Sequence, residues 1–169
     1  MILSLSGCAT AKYPAKPVES AGFGVDHIRR PVKNVPTAWK APRRDSFLWP
    51  VRGTVISSFA EKVNSARNKG IDIRSMEGAQ VKASRAGTVV FLDNKFKGFG
   101  KTVILDHGDN FQTVYAYNSR ILVNLGDEIE QNEQIAKIGR TGRAKEPSLH
   151  FEIRKNGEPC NPSYYLPQR

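Results

Sequence analysis

Ser148-Leu149-His150-Phe151-Glu152-Ile153-Arg154 alternates polar and apolar side chains over its whole length. A period of two is the pattern of a β-strand with one face buried. Leu149, Phe151 and Ile153 then face the core, and Ser148, His150, Glu152 and Arg154 share the opposite face. An imidazole, a carboxylate and a guanidinium on one strand face make that face a candidate groove floor. The same reading predicts strands at 54–59, 87–92, 101–106, 111–117 and 134–138, with 149–154 as the last. Between them stand turn-forming groups: Lys97-Gly98, Phe99-Gly100, His107-Gly108-Asp109-Asn110, Leu125-Gly126-Asp127 and Asn156-Gly157. No sustained helical periodicity is present. The domain is therefore expected to be mainly β, an antiparallel β-sheet with a groove. In the strand at 111–117, Val114 and Ala116 are expected on the core side, opposite Thr113, Tyr115 and Tyr117. If the two strands are neighbours, His150, Arg154 and Tyr117 meet.

Toward the N-terminus the character of the chain changes. Residues 9–45 hold Pro14, Pro17, Pro31, Pro36 and Pro42 and no periodic apolar pattern, and they are rich in Lys and Arg. They are expected to form an extended, disordered, basic linker. The compact domain is expected from 46 to 169, opening on Phe47-Leu48-Trp49-Pro50-Val51. Over the whole chain 26 Lys and Arg stand against 16 Asp and Glu, a formal net charge of +10, which favours anionic partners. No helix-turn-helix, RNP-like or zinc-finger pattern accompanies that charge, so nucleic acid is not an expected partner. No apolar run is long enough to cross a membrane as a helix. Residues 1–8 end in Leu5-Ser6-Gly7-Cys8, which resembles a short bacterial lipoprotein signal with its lipobox. The resemblance implies lipid on Cys8. Ala9 after it resembles a signal for sorting to the outer membrane of a Gram-negative cell. Cys160, in Gly157-Glu158-Pro159-Cys160-Asn161-Pro162, is then an unpaired thiol with a structural role.

A set of landmarks within the compact domain resembles the LytM (lysostaphin-type) zinc peptidase domain. They include Trp49-Pro50-Val51-x-Gly53, Lys69-Gly70-Ile71-Asp72-Ile73, Gly87-x-Val89-Val90, Gly98-Phe99-Gly100 and Asp106-His107-Gly108-Asp109. Tyr115-Ala116, Leu125-Gly126-Asp127, Gly139-x-Thr141-Gly142 and Leu149-His150-Phe151-Glu152-Ile153-Arg154 follow in the family's order. Active members bind one catalytic zinc through the His and Asp of His-x-x-x-Asp and the second His of His-x-His. The first His of His-x-His, and a His after Tyr-Ala, serve the chemistry. Carried over by position, the resemblance implies that Asp72 and His150 match two ligands. Asn68 stands in place of the third, and Ser148 and Tyr117 in place of the catalytic histidines. Catalytic zinc keeps three protein ligands and a water whose pKa it lowers. Two ligands and no base for that water imply no metal, no cofactor and no catalysis.

Asn68-Lys69-Gly70-Ile71-Asp72 and the C-terminal Pro162-Ser163-Tyr164-Tyr165-Leu166-Pro167-Gln168-Arg169 are similar to the NlpD-type murein hydrolase activators. What this resemblance implies is a non-catalytic activator of a periplasmic N-acetylmuramoyl-L-alanine amidase during septal peptidoglycan splitting. The protein would be held on the periplasmic face of the outer membrane by lipid on Cys8. Candidate contacts to the partner are Lys69, Phe99, Tyr117, His150 and Arg154. Two alternatives remain open at this point: a module that binds peptidoglycan directly, and a residual zinc endopeptidase in which Asn68 and water complete a weak site.

Overall fold

The computed structural model describes residues 46–63 and 66–168. The expected lipobox at Cys8 and the expected linker at 9–45 lie outside the described residues. In chain order the strands are β1 (Thr54–Ser57), β2 (Lys62–Val63), β3 (Ala66–Arg67), β4 (Ile71–Arg74) and β5 (Gln80–Lys82). They continue with β6 (Gly87–Phe96), β7 (Gly100–Asp106), β8 (Phe111–Asn118), β9 (Arg120–Ile121) and β10 (Glu128–Ile129). The last are β11 (Gln134–Lys137), β12 (Ser148–Lys155) and β13 (Glu158–Cys160), before a 3-10 turn at Pro162–Tyr164. All six predicted strands are present. β6 runs farther than expected, to Phe96, while β4 and β5 have too few residues to show a period.

The main sheet has the order β1-β4-β12-β8-β7-β6-β10, with β13 also paired to β12. A second sheet has the order β5-β11-β9. Every described pairing is antiparallel. The turn residues do what their chemistry suggests. Asn156 and Gly157 join β12 to β13 with φ of 53° and 81°, the left-handed pair that a two-residue hairpin needs.

Leu149, Phe151 and Ile153 are fully buried in the core, as their alternation requires. The expectation for β8 is reversed. β8 pairs with β12 in the register Phe151↔Tyr115, Glu152↔Val114 and His150↔Ala116. Residues directly opposite in an antiparallel pair project from the same face. Tyr115 and Thr113 therefore join the core face, and Val114 and Ala116 lie on the face of His150. Alternation alone could not choose between two sets that both contain apolar groups. The Tyr115 hydroxyl accepts from the Ser84 N–H at 2.8 Å and lies 2.9 Å from Thr113 Oγ1, so the core face satisfies its polar atom. The core cluster joins these residues to Val81, Ile135, Ala136 and Ile138 from the second sheet and the turn after it.

His107 belongs to this scaffold. Its Nδ1 lies 2.8 Å from the Ala86 carbonyl and its Nε2 2.7 Å from Thr113 Oγ1. Burial, with help from the Arg85 charge, holds its pKa down at about 4, against the opposing pull of the Ala86 carbonyl and Asp106. The folded state thus binds fewer protons than the unfolded chain between pH 4 and 6.5. Stability from this residue is complete above pH 6.5 and is lost as pH falls toward 4. We expect urea unfolding of His107→Gln to show an acid-side slope shallower than wild type by about 1.4 kcal/mol per pH unit. Parallel slopes would remove His107 from the account.

Candidate functional site

Register brings the two surviving metal-type residues together. β4 and β12 pair with Asp72 directly opposite His150. Asp72 Oδ1 lies 2.7 Å from His150 Nδ1, and Glu152 Oε1 lies 3.0 Å from His150 Nε2. Glu152 Oε2 accepts from Arg154 Nε at 2.7 Å and pairs with Arg154 Nη2 at 2.6 Å. Glu152 is 0% exposed and His150 3%. Both ring nitrogens face carboxylate oxygens, a setting that an imidazolium satisfies by donating twice. Burial by itself would lower the His150 pKa, but the hydrogen bonds and charges of Asp72 and Glu152 outweigh it and raise it. Burial would raise the Glu152 pKa, but His150 and Arg154 outweigh it and lower it. The Glu152 contribution is present above the usual carboxylate range and lost as pH falls through its lowered pKa. The His150 contribution is present below its usual value and lost as pH rises through its raised one.

Asn68 completes the row. Its Oδ1 accepts from the Gly70 N–H at 3.0 Å, which settles the orientation of the amide. Its Nδ2 therefore turns inward and donates to Ser57 Oγ at 2.9 Å and Asp72 Oδ2 at 3.4 Å. An amide NH2 has no lone pair to offer a metal. The Ser148 hydroxyl is turned to the Glu146 carbonyl at 3.0 Å. Among the described residues no three His, Cys, Asp or Glu side chains are arranged to hold a metal ion. This donor set does not fit a catalytic zinc, which takes three protein ligands and an open position.

Tyr117 reaches the groove by breaking its strand. Strict alternation from Tyr115 would send it to the core. An extra residue on β8 opposite β7, between the pairs Lys101↔Asn118 and Val103↔Tyr115, forms a bulge there. Tyr117 takes φ of 69°, in the left-handed region, and its ring lies 5.4 Å from that of His150. Its N–H donates to the Phe99 carbonyl at 2.9 Å, and its own carbonyl accepts from the Thr141 N–H at 3.3 Å. Burial, reinforced by the Asp72 charge, raises the phenol pKa and keeps the hydroxyl neutral.

These groups floor a groove of about 780 Å³. Asn68, Lys69, Asp72, Phe99, Tyr117, Ser148 and His150 all line it. Arg154 does not, contrary to its assignment as a groove contact. Its guanidinium is drawn onto buried Glu152, one step behind the groove surface. The sequence places Glu152 on the His150 face but does not assign it the role of bridging His150 and Arg154. It shares a strand face with His150 and Arg154, and that spacing is the signal for the role. Arg143 was also missed; it lies 5.6 Å over the Phe99 ring and lines the groove.

The antiparallel β fold that carries this groove is shared with lysostaphin-type peptidases. The chain belongs to Peptidase family M23, whose sequence profile matches residues 66–162. Its relatives include the "Lipoprotein NlpD/LppB homolog" of Pseudomonas aeruginosa, 40% identical over 128 residues, covering 76% of this chain and 42% of that protein. The "Murein hydrolase activator NlpD" of Escherichia coli is 40% identical over 124 residues, covering 73% of this chain and 32% of that protein. The "Cell division protein DipM" of Caulobacter vibrioides is 36% identical over 134 residues, covering 76% and 22%. The chain thus spans less than half the length of these relatives. Among solved structures, the SpoIIQ–SpoIIIAH pore-forming complex contains a chain with TM-score 0.67 and 29% identity, covering 73% of this chain and 92% of that one. A mutant catalytic domain of the M23 protein EnpA from Enterococcus faecalis gives TM-score 0.64 and 25% identity, covering 72% and 97%.

Proposed function

We propose that this protein is a non-catalytic activator of a periplasmic N-acetylmuramoyl-L-alanine amidase in septal peptidoglycan splitting. The observation that carries the reading is a closed hydrogen-bonded row, Asn68–Asp72–His150–Glu152–Arg154, beneath an open groove. Every group that would serve a metal in a hydrolase is satisfied by a neighbour, while the surface that would receive a polypeptide is retained. The relatives' names, murein hydrolase activators and lipoproteins among them, support the same reading. Lys69, Phe99, Tyr117 and His150 form the contact surface. Arg154 serves indirectly, by holding Glu152. Activation requires the groove to bind the open form of the amidase more tightly than the closed form, since equal affinity for both shifts nothing. Lipid on Cys8 places the domain at the periplasmic face of the outer membrane, where such an amidase works.

The test is dye release from labelled sacculi. The full chain alone is expected to release none, with or without added zinc. With a periplasmic amidase it is expected to raise release well above that of the amidase alone. Dye released by the chain alone would make it a hydrolase; no enhancement with any periplasmic amidase would remove the activator role. In fractionated cells that make the protein, Cys8→Ala is expected to leave the membrane fraction.

A further inference from the structure

We propose that the outer face of the second sheet docks on a bilayer of anionic phospholipid and so turns the groove away from that bilayer. This goes beyond the activator reading and does not depend on it. The sheet β5-β11-β9 packs one side on the core. Alternation sorts its side chains, apart from a bulge at Ile135 that turns one extra apolar group inward. Val81 and Ala83 are buried with Lys82 between them, and Ala136 and Ile138 with Lys137 between them. Ile121 and Val123 pack inward with Leu122 between them. Lys137 stands directly opposite Gln80 on one side and Arg120 on the other, and Lys82 stands opposite Gln134. Residues opposite each other in an antiparallel pair share a face. The outer face is therefore Gln80, Lys82, Arg120, Leu122, Gln134 and Lys137. It holds three cations, two amides, a leucine and no carboxylate.

The chemistry of this face selects a lipid surface. Among the described residues none of the three cations pairs with a carboxylate. Neighbouring strands lie about 4.8 Å apart, so Lys137 and Arg120 present their charges side by side, as a plane of phosphate headgroups requires. Apolar groups stand at both ends of the strands. Met76, 82% exposed, belongs to the turn before β5, where the Gly78 N–H donates to the Ile138 carbonyl just after β11. Leu122 and Leu125, 40% and 67% exposed, stand at the opposite end, after β9. At a bilayer surface the cations meet phosphate while Met and Leu enter the acyl boundary. The six outward residues include no aromatic ring on which a sugar could stack. Three cations, each worth about a factor of five in affinity, are too few to hold a free chain. They act on a domain already tethered by lipid, which supplies a high local concentration. Orientation follows from the layers. The second sheet shares one core with Leu149, Phe151 and Ile153 of β12, and His150 faces the other way. A bilayer on the outer face thus leaves the groove on the far side of the domain.

The test is vesicle flotation, at low salt, of the full chain carrying Cys8→Ala, so that no lipid of its own contributes. One vesicle is phosphatidylethanolamine with phosphatidylglycerol, the other phosphatidylcholine alone. Binding is expected to the first, weakened by added salt, and not to the second. Residues 9–45 are basic too, so the decisive comparison is between two double charge reversals. Arg120→Glu with Lys137→Glu is expected to weaken binding about thirtyfold, a factor of about five per cation lost. Lys95→Glu with Lys155→Glu changes net charge equally at exposed positions off this face, and is expected to cost less than about threefold. Position is read separately, with a polarity-sensitive fluorophore on Leu125→Cys or on Lys97→Cys at the groove rim, both in Cys160→Ser. The Leu125 label is expected to shift to the blue on anionic vesicles and the Lys97 label to stay unchanged. Thermal unfolding checks that the variants are folded. Equal losses from the two charge reversals, or a blue shift at Lys97 instead of Leu125, overturn the proposal. So does binding to peptidoglycan sacculi that exceeds binding to anionic vesicles and is lost with Arg120→Glu and Lys137→Glu.

Discussion

Glu152→Ala is expected to destabilise the domain by about 3–5 kcal/mol, read as the free energy of urea unfolding at neutral pH. The magnitude follows from what is left behind. Glu152 is 0% exposed and joins the imidazole of His150 to the guanidinium of Arg154. Removing the carboxylate strands two cationic groups beside each other, and the His150 side chain among them is only 4% exposed. Breaking a buried pair from one side is more harmful than never having built it, because the partner stays buried and unpaired. Glu152→Gln keeps the shape and one acceptor oxygen, so it is expected to fall between alanine and wild type. It is also expected to bring the His150 pKa down, since one of the two carboxylates that raise it is gone. A loss below about 1 kcal/mol for Glu152→Ala would mean that the row is a solvated surface array rather than a buried one.

Gly70→Ala is the second large effect, about 3 kcal/mol of stability with a change in the groove floor. Gly70 immediately precedes β4, where that strand presses against β12. A Cβ there would strike the Phe151 carbonyl oxygen, and would lie 2.8 Å from the Phe151 carbonyl carbon and 2.9 Å from Glu152 Cγ. The obstacles are mainly backbone, so a side-chain rotation cannot relieve them. β4 must move away from β12, and Asp72 with it, lengthening the 2.7 Å contact to His150. The measurements are the unfolding midpoint and the His150 pKa by NMR titration. Both are expected to fall. A wild-type pKa in a destabilised protein would show that the strands part elsewhere.

The legible part of this molecule was local. Alternation in β12 assigned Leu149, Phe151 and Ile153 to the core and put His150, Glu152 and Arg154 on one face. Glycines and asparagines located the turns because a left-handed φ is a property of single residues. β8 was different. Its Val114 and Ala116 are as apolar as its true core residue Tyr115, so the strand's own pattern does not say which face is which. Only pairing with β12 decides it. Arg154 was assigned to the groove from its strand face, but a buried carboxylate two residues away draws its charge inward.

By itself, then, the sequence determined six of the thirteen described strands, the turns and the chemical inventory of the site, because each depends on near neighbours along the chain. Tertiary structure alone decided how that inventory is used. Asp72 and His150 are 78 residues apart and meet only through the register of β4 on β12. The Asn68 amide turns its NH2 inward because the Gly70 N–H takes its oxygen. Tyr117 reaches the groove because a bulge opposite β7 reverses its side. Register, amide orientation and bulges are set by the packing of the whole sheet, and no local period encodes them.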